Sequence, residues 1–513
     1  MLAYTDAGLP DCAPMNFARD VVDAAPPGRR ALVELARDGS RRAWSFAEVS
    51  DRSARLAGAL IGHGIGRGDV VLTLIGNRAE WVLTMVACFR IGAVVLPCNE
   101  QLRAKDLRLR IDAARPKLIV ADVRNVVELS GAGASCPVLS VPDESLFAHE
   151  PAQPAELSGS DPCLITFTSG TTGDPKGVVH GQRYLHGQRL QAERWLGARA
   201  GDLVWCTAST GWSKSARNAF VAPWLRGAAA LLHDAHFDPA QRLELLASER
   251  VNVLCMAPTE YRVIAKRAML RPLPALRELV AAGEALNPEV LRAFREGTGR
   301  EIRDGYGQTE TGQLTGMPIG EPVRPGSMGR ALPGIELRVR TDDSGRAHAS
   351  EAVSPAIGCE GELVLADPLT DPTFFIGSLD GQPEPAGAPW RTGDRVRQDE
   401  EGYLYFEGRT DDVIVSAGYR IGPFEVESAL FSHAAVAEAA VVAAPDEERG
   451  SLVRAVVVLR DGVAPSPGLA AELQEHVKRI TAPYKYPRIV EFADELPKTA
   501  SGKVQRALLR ARS

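Results

Sequence analysis

The alternation of short apolar strands with amphipathic helices limits most strongly how this chain can fold. Between residues 45 and 122 the order is helix, strand, helix, strand, helix, strand, and the same alternation returns between residues 202 and 294. Strands that are separated by helices usually pair in parallel. Both stretches therefore predict βαβ units and a largely parallel sheet, which is an α/β fold.

The bounds of these elements follow from the apolar periodicity and from the glycines and prolines around it. The predicted helices are 45–63, 80–89, 106–113, 216–225 and 239–248. The predicted strands are 69–75, 93–96, 118–121, 204–207, 229–233 and 252–257.

The pattern changes twice towards the carboxyl end of the chain. Residues 326–408 contain short apolar runs between turns, which predicts a small β-barrel. Strands and helices alternate again within residues 412–513, which are enough for a small α+β domain. A chain of 513 residues exceeds the size at which one core stops growing, so more than one domain is expected.

Composition narrows the classes of partner. The net charge is −6 and the pI is about 6.0, so no nucleic-acid partner is predicted. The most apolar stretch, 81–98, is interrupted by Arg90 and Gly92, and it predicts a buried helix and strand without membrane insertion. The first residues lack the basic and apolar regions of a signal peptide, so we expect a cytoplasmic protein.

Two other patterns favour a structural interpretation. The eight cysteines are dispersed without a C-x-x-C pair, so we expect buried small side chains and no zinc site. The run GIGRGD at 64–69 lacks the third glycine of a dinucleotide-binding fingerprint and follows a helix. It predicts a helix C-cap that leads into a strand.

The segment LITFTSGTTGDPKG at 164–177 carries the clearest chemical signal. An apolar strand enters a loop of glycines and hydroxyl side chains that ends near Lys176. Glycines allow successive N–H groups to converge on an anion, and the lysine adds positive charge. The loop therefore predicts a polyphosphate site, although it lacks the Gly-Lys-Ser/Thr ending of a Walker A loop.

Residues 168–177 resemble the phosphate-loop signature of the adenylate-forming, AMP-binding superfamily of acyl-CoA synthetases, luciferases and adenylation domains. Further motifs follow in the family's order: GEALNP at 283–288, DGYGQTE at 304–310, WRTGD at 390–394, GRTDDVI at 408–414 and PKTASGK at 497–503. Residues 417–428 and 481–488 are most similar to the medium-chain acyl-CoA synthetase branch.

This resemblance implies a two-step ATP-dependent ligase. A carboxylate reacts with ATP to give an acyl-adenylate and pyrophosphate, and CoA then yields acyl-CoA and AMP, with Mg²⁺ as the metal. It also implies a large amino-terminal domain at 1–408 with a β-rich subdomain at 326–408. A hinge at 409–411, centred on Asp411, would precede a mobile carboxyl-terminal domain at 412–513.

Family roles are carried over residue by residue. Lys503, Thr309 and Glu310 would be catalytic, and Glu310 would hold Mg²⁺. The implied ATP or AMP contacts are Thr168, Ser169, Gly170, Thr171, Thr172, Gly173, Lys176, Gly283, Glu284, Asp304, Tyr306, Gly307, Gln308, Thr309, Asp394, Arg409, Arg420 and Lys503. Asp394 would accept hydrogen bonds from the ribose hydroxyls.

The implied CoA contacts are Gln101, Ala417, Gly418, Tyr419, Arg449 and Lys478. Trp212 and Gly307 would line the acyl pocket. Acetyl-activating members carry a bulky aromatic residue at the position of Gly307, so a glycine there favours medium-chain, branched or aromatic acids.

Alternatives remain open at this point. The acceptor could be the phosphopantetheine of a carrier protein, or the enzyme could be a benzoate-type aryl-CoA ligase. An amino-acid-activating domain and an inactive nucleotide-binding protein are weaker alternatives. The oligomeric state is also open, and a homodimer is compatible with the sequence.

Overall fold

The computed structural model describes residues 14–168, 175–284, 286, 288–341, 359–380, 387–410, 412–416, 419–498 and 504–511. Within these residues the strands form four larger sheets, numbered I to IV below, and three two-stranded pairs. The pairs are Gly307–Gln308 with Gly312–Gln313, Thr315–Gly316 with Arg330–Ala331, and Ile414–Ser416 with Tyr419–Ile421.

Sheet I contains the strands of the second predicted stretch. Its seven strands are, in spatial order, Ile302–Gly305, Glu278–Ala282, Val253–Met256, Leu203–Cys206, Ala229–His233, Arg30–Leu35 and Arg41–Ser45. All neighbours are parallel except the last two, which are antiparallel. The predicted parallel sheet is confirmed.

Sheet II contains the strands of the first predicted stretch and both strands that flank the glycine-rich loop. Its order is Gly377–Ser378, Gly177–Gly181, Pro162–Phe167, Val94–Pro97, Val70–Leu74, Leu118–Asp122 and Val138–Val141. The last five of these strands are mutually parallel, and the first three are antiparallel.

The α-helices are Phe46–Gly62, Ala79–Ile91, Ala104–Ala114, Val126–Ala132, Gln182–Gln191, Ser213–Ala216, Ala222–Leu225, Pro239–Ser248, Pro258–Arg267, Pro288–Thr298, Pro423–Phe431, Pro467–Ile480 and Arg506–Arg510. The helix Ala79–Ile91 is buried at nearly every position and belongs to the largest apolar core. That burial explains why its sequence is apolar on all faces. In the described part of the chain, no helix combines the length and apolar composition of a membrane span.

Local signals set the first long helix as predicted. Ser45 caps it, because its hydroxyl accepts from the Glu48 N–H while the Glu48 carboxylate accepts from the Ser45 N–H. Beyond its last residue, Gly64 has a φ of +78°, and the next strand starts at Val70. The run at 64–69 is therefore a helix end that leads into a strand, as predicted.

The predicted helix at 216–225 differs in detail. It consists of an α-helical turn Ser213–Ala216, a π-helical turn Arg217–Val221 and an α-helical turn Ala222–Leu225. Pro223 has no N–H, so a regular α-helical hydrogen-bond ladder cannot continue through it. Arg217 and Asn218, the first two residues of the π turn, lie in the protein interior.

Sheets III and IV form the carboxyl-terminal half. Sheet III is antiparallel, with the order Leu337–Arg340, Glu360–Leu365, Trp390–Gln398 and Leu404–Arg409, and it lies in the predicted β-rich part. Sheet IV contains Val436–Asp446, Gly450–Leu459 and Ile489–Phe492. It packs with the helices Pro423–Phe431 and Pro467–Ile480 around its own apolar core, as the α+β prediction required.

The cysteines follow their predicted role. Cys88, Cys98, Cys163, Cys206 and Cys255 are buried free thiols, and Cys136 and Cys359 are half-buried. Cys12 lies outside the described residues.

Candidate active site

The site candidates gather where the parallel strands of sheet I end. Glu278–Ala282 leads directly into Gly283 and Glu284, and Ile302–Gly305 leads into Tyr306 and Gly307. These two strands are parallel neighbours, so their following segments lie side by side. The carboxyl edge of a parallel sheet is where open α/β folds bind ligands.

A short hairpin holds the predicted catalytic residues. Gly307 pairs with Gln313 and Gln308 with Gly312, so Thr309 and Glu310 occupy the turn between them. The turn is also fixed from outside, because the Phe375 N–H donates to the Glu310 carbonyl at 2.8 Å. Both Thr309 and Glu310 are half-buried, which leaves part of each side chain accessible at the edge.

Asp394 is the buried acceptor that joins three of the motifs. Its Oδ2 accepts from the Tyr306 hydroxyl and, at 2.8 Å, from Gln308 Nε2, while Oδ1 accepts from Arg409 Nη1 at 3.3 Å. Only 5% of the residue is exposed. Burial raises the pKa of Asp394, and the Tyr306 hydrogen bond and the Arg409 charge oppose that effect. The structure thus brings together four predicted nucleotide contacts.

Asp304 and Gly283 lie at the same edge. Burial raises the pKa of Asp304 to about 8, while the Gly305 N–H, which donates to its Oδ1 at 2.8 Å, acts in the opposite direction. Gly283 has a φ of +104°, a conformation that L side chains rarely adopt. Glycine is therefore required at this turn whether or not a ligand is bound.

The Glu284 carboxylate is already bound by two neighbouring side chains. Its Oε2 accepts from the Thr259 hydroxyl at 2.7 Å and pairs with Arg262 Nη2 at 2.6 Å. The main chain of Glu284, which continues the Gly283 turn, remains its accessible contribution to the edge. Sequence reasoning could not show this, because Thr259 and Arg262 lie on a helix more than twenty residues earlier.

The ends of the glycine-rich loop are held together by a hairpin closure. The Thr168 N–H donates to the carbonyl of the exposed Lys176 at 2.9 Å. Further along the same strand, the His180 ring lies against the main chain of Thr309. The loop strand and the catalytic hairpin are therefore neighbours. Ser169, Gly170, Thr171, Thr172 and Gly173 lie outside the described residues.

The segments that carry Trp212 and Gln101 pack against each other. Gly211, with a φ of +88°, lies so close to Asn99 that an added Cβ would come within 2.6 Å of its backbone nitrogen. The Asn99 side chain in turn accepts from the Gln101 N–H at 2.9 Å. Hence the turn with Gln101 packs on the segment that leads to the half-buried Trp212.

The other predicted CoA residues lie in the carboxyl-terminal part. Tyr419 stacks on Tyr484 with ring centroids 4.3 Å apart. The Arg449 N–H donates to Asp446 Oδ1 at 2.8 Å, and Lys478 Nζ pairs with Glu475 and lies 4.2 Å from the Tyr486 ring centroid. Within the described residues, no hydrogen bond joins any of these three residues to Gln101.

Several candidates cannot be placed. Lys503, Asp411, Ala417 and Gly418 lie outside the described residues, and of Arg420 only the main chain is described, in the strand Tyr419–Ile421.

Comparison with known proteins identifies the family. The AMP-binding enzyme model matches residues 19–372, and the model of the AMP-binding enzyme C-terminal domain matches residues 425–503. The chain belongs to the AMP-binding enzyme family.

Two relatives and one solved structure are similar over nearly the whole chain. A mitochondrial acyl-coenzyme A synthetase of Rattus norvegicus is 40% identical, over 96% of this chain and 90% of its own length. An uncharacterised acyl-CoA ligase of Bacillus subtilis is 38% identical, over 97% and 96%. A benzoate CoA ligase structure from Burkholderia xenovorans has a TM-score of 0.85 and 29% identity, over 97% and 100%.

These similarities establish the activity class of this AMP-binding enzyme. It is an acyl-CoA synthetase that uses ATP, Mg²⁺ and CoA in the two-step ligation of a carboxylic acid to a thiol. The large and small domains that the family implies are also those of its structural relatives.

Two cations at this edge were missed by sequence reasoning. Lys214 and Arg217 follow Trp212 on the helical segment that begins at Ser213. The available signal was a pair of cations three residues apart at the start of an otherwise apolar helix.

Asp394→Asn should weaken ATP binding. The amide keeps the volume but loses the charge that Arg409 contacts and one acceptor, so KM for ATP should rise about 10-fold or more. Steady-state kinetics with ATP as the varied substrate measure this. Glu244→Gln, an exposed carboxylate on the helix Pro239–Ser248, is the matched control and should leave KM unchanged. An unaltered KM in Asp394→Asn would remove Asp394 from the nucleotide site.

Gly307→Ala should impair adenylation of every acid to a similar extent. An added Cβ would lie 1.8 Å from the Gly312 carbonyl oxygen, so the hairpin that holds Thr309 and Glu310 must shift. Pyrophosphate release with a short and a long acid measures the effect, and Gly28→Ala, which meets no atom within 4 Å, is the control. Loss confined to long acids would instead show that position 307 acts through the size of the pocket.

Proposed function

We propose that this acyl-CoA synthetase activates a medium-chain, branched or aromatic acid and transfers it to free CoA. The observation that carries the proposal is the carboxyl edge of sheet I, where Asp394 and its donors adjoin the Thr309–Glu310 turn. Gly307 contributes no side chain to this edge, and a benzoate CoA ligase shares the fold. Gly307 is also required by its hairpin, so the acid class rests on the relatives as much as on this glycine.

The nucleotide would lie along this edge. Asp394 would accept from the ribose hydroxyls, which would compete with the donors that now occupy it, Tyr306 and Arg409. Gly283, the main chain of Glu284 and Tyr306 would border the adenine, with Asp304 and Gln308 beneath them. The loop from Thr168 to Lys176 would bind the β- and γ-phosphates, because converging N–H groups and one ammonium group suit a polyphosphate.

The first step joins two anions, so neutralising charge matters more than supplying a nucleophile. Thr309 would donate to the α-phosphate, and Arg409 and Arg420 would add positive charge near the nucleotide. The donor chemistry at Glu310 fits Mg²⁺, since this hard cation usually takes one or two carboxylates together with phosphate oxygens. When bound there, Mg²⁺ would neutralise phosphate charge.

Lys503 would supply a mobile charge to the carboxylate and the α-phosphate during adenylation. The segment that carries it belongs to the proposed domain 412–513, which would rotate about the hinge 409–411. Described contacts flank that hinge, because Asp412 pairs with Arg510 and lies 3.8 Å from Arg506. Lys266 also donates to the Ala437 carbonyl at 3.5 Å, a contact that such a rotation would break.

After the rotation, CoA would enter beside Gln101 and Gly418. Ala417, Gly418 and Tyr419 would line the passage of the pantetheine arm, and Arg449 and Lys478 would bind the phosphates. The stacked pair of Tyr419 and Tyr484 is exposed enough to take part. We place the enzyme in the cytoplasm, where ATP and CoA are available.

A panel of acids tests the proposal. Purified enzyme with Mg-ATP is given acetate, butyrate, isobutyrate, hexanoate, octanoate or benzoate, with and without CoA, and products are followed by mass spectrometry. We expect acyl-CoA and AMP from one or more of the larger acids and little from acetate. Acyl-AMP that accumulates and ignores CoA would move the acceptor to a carrier protein.

Lys503→Ala should separate the two steps. Loss of a charge that acts in the adenylation transition state should slow acyl-AMP formation about 100-fold or more. Thioester formation from preformed acyl-AMP should be largely spared, because the lysine would have left the site by then. Lys498→Ala, whose ammonium pairs with Glu438 at 2.6 Å, is the control. Equal loss in both half-reactions would contradict this division of roles.

A further inference from the structure

Lys214 and Arg217 project from one side of the helical segment that begins at Ser213. Residues three apart on a helix are surface neighbours, so the two cations lie close in space. Lys214 is half-buried, whereas only 4% of Arg217 is exposed. A positive charge therefore extends from the accessible edge into the interior.

Arg217 is buried without an anion. Its Nε and Nη1 have no hydrogen-bond partner in the described part of the chain, and no carboxylate there lies within 4.0 Å of the guanidinium. The hydroxyl of Ser215 and the Nδ2 of Asn218 are likewise buried without partners among the described residues. Burying an unpaired charge is strongly unfavourable, so this guanidinium calls for a partner.

Both cations lie near residues of the carboxyl edge of sheet I. Lys214 Nζ donates to the Ala282 carbonyl at 3.1 Å and lies 3.4 Å from where a Cβ on Gly283 would be. The charge of Arg217 lowers the pKa of His180, and the ring of His180 lies against the main chain of Thr309. Burial, with the charges of Arg217 and Arg183, lowers the pKa of His180 to about 3. The imidazole is therefore neutral and does not repel the guanidinium.

The nearby acidic side chains do not form an ion pair with Arg217. The Tyr184 hydroxyl is a neutral hydrogen-bonding neighbour of Arg217, and the buried Asp371 acts electrostatically on that hydroxyl but has no oxygen within 4.0 Å of the guanidinium. Burial raises the pKa of Asp304 to about 8, although the charge of Lys214 acts in the opposite direction. Burial therefore favours the neutral form of this carboxyl group. The unmatched charge points to a ligand.

We propose that Arg217, assisted by Lys214, binds a second carboxylate on the acid that the enzyme activates. The substrate is then a dicarboxylic acid that reacts at one end. This inference rests on the proposed function, because it requires the acyl pocket to lie beside Trp212 and Gly307. A guanidinium matches a carboxylate with two parallel N–H donors, and the neighbouring Asn218 amide and Ser215 hydroxyl can add further donors.

The chemistry of the ligation is unchanged. One carboxylate oxygen attacks the α-phosphorus, the bond to the β-phosphate bridge breaks, and pyrophosphate leaves. The second carboxylate stays bound to Arg217 through both steps and forms no covalent bond. Its contribution is to orient the diacid so that the reacting carboxylate reaches the phosphate.

Matched pairs of acids test this inference. The pairs are butyrate and succinate, pentanoate and glutarate, hexanoate and adipate, octanoate and suberate, and benzoate and terephthalate, each assayed for acyl-CoA formation. We expect at least one diacid to exceed its monoacid in kcat/KM by about 30-fold or more, the effect of a buried hydrogen-bonded ion pair.

Arg217→Met should then abolish that preference. It removes the guanidinium and keeps an unbranched apolar side chain, so kcat/KM for the diacid should fall about 30-fold or more while the monoacid is retained or improved. Lys214→Met should give a smaller effect in the same direction. Arg226→Met, an arginine at the end of the same helical segment that is 30% exposed, is the matched control and should leave both acids unchanged.

The outcomes separate the two proposals. If monoacids are preferred in every pair, the diacid inference is wrong and the proposed function stands. Equal loss for both members of a pair in Arg217→Met also overturns the inference, because the guanidinium then acts on the shared chemistry or the fold. If Arg217→Met does not fold, wild-type selectivity and Arg217→Lys decide, and the lysine should give an intermediate preference. No acyl-CoA from any acid contradicts the proposed function itself.

Discussion

The buried carboxylate of Asp394 is the interaction on which the geometry of the site depends. A carboxylate with 5% exposure is costly unless donors surround it, and here they come from Tyr306, Gln308 and Arg409. Tyr306 and Gln308 follow a strand of sheet I, whereas Asp394 and Arg409 belong to sheet III. Satisfying one charge therefore holds the two sheets at a fixed relative position, with the Thr309–Glu310 turn beside them.

The same carboxylate suits exchange of ligands. Its two oxygens can accept about four hydrogen bonds, and three are already used in the ligand-free chain. In the proposed nucleotide complex, the hydroxyls of a ribose diol would replace some of these donors, and the carboxylate would remain hydrogen-bonded. Arg409 starts the proposed hinge, so the proposed nucleotide site and the position of the following domain would be connected through one hydrogen-bond acceptor.

Much of the fold could be predicted from the sequence, because the signals are local. The helix Phe46–Gly62 has its capping box within four residues, and the strands Val70–Leu74 and Leu118–Asp122 are apolar runs bounded by turns. The π turn at Arg217–Val221 was not predictable in the same way, since apolar periodicity does not distinguish an α turn from a wider one. Order along the chain was predictable, whereas local helical geometry was not.

The candidate site residues show the same contrast between local and distant signals. Thr309, Glu310 and Asp394 could be found because their motifs are contiguous, yet the partners of each side chain are distant in sequence. Arg262 pairs with the Glu284 carboxylate, and the Gly312 carbonyl leaves no room for a Cβ at Gly307. Neither contact has a sequence signal. Carrying over a family role therefore names candidate positions in the chain but does not say whether a side chain or a main chain would act.

The buried, unpaired charge of Arg217 would set the specificity of the enzyme for its acid substrate. An apolar acid in the pocket would further exclude water from a guanidinium that has no anion in the described structure, so its binding would carry that desolvation cost. A carboxylate in the same place removes the cost and adds charge-assisted hydrogen bonds. Discrimination would then come as much from the penalty on the wrong acid as from attraction of the right one, which is how sites built around a buried polar group reject analogues that lack the matching group. Because Lys214 and Arg217 extend from the edge inward, the same two cations would also attract one carboxylate of the diacid inward, and this orientation leaves the other carboxylate at the phosphate.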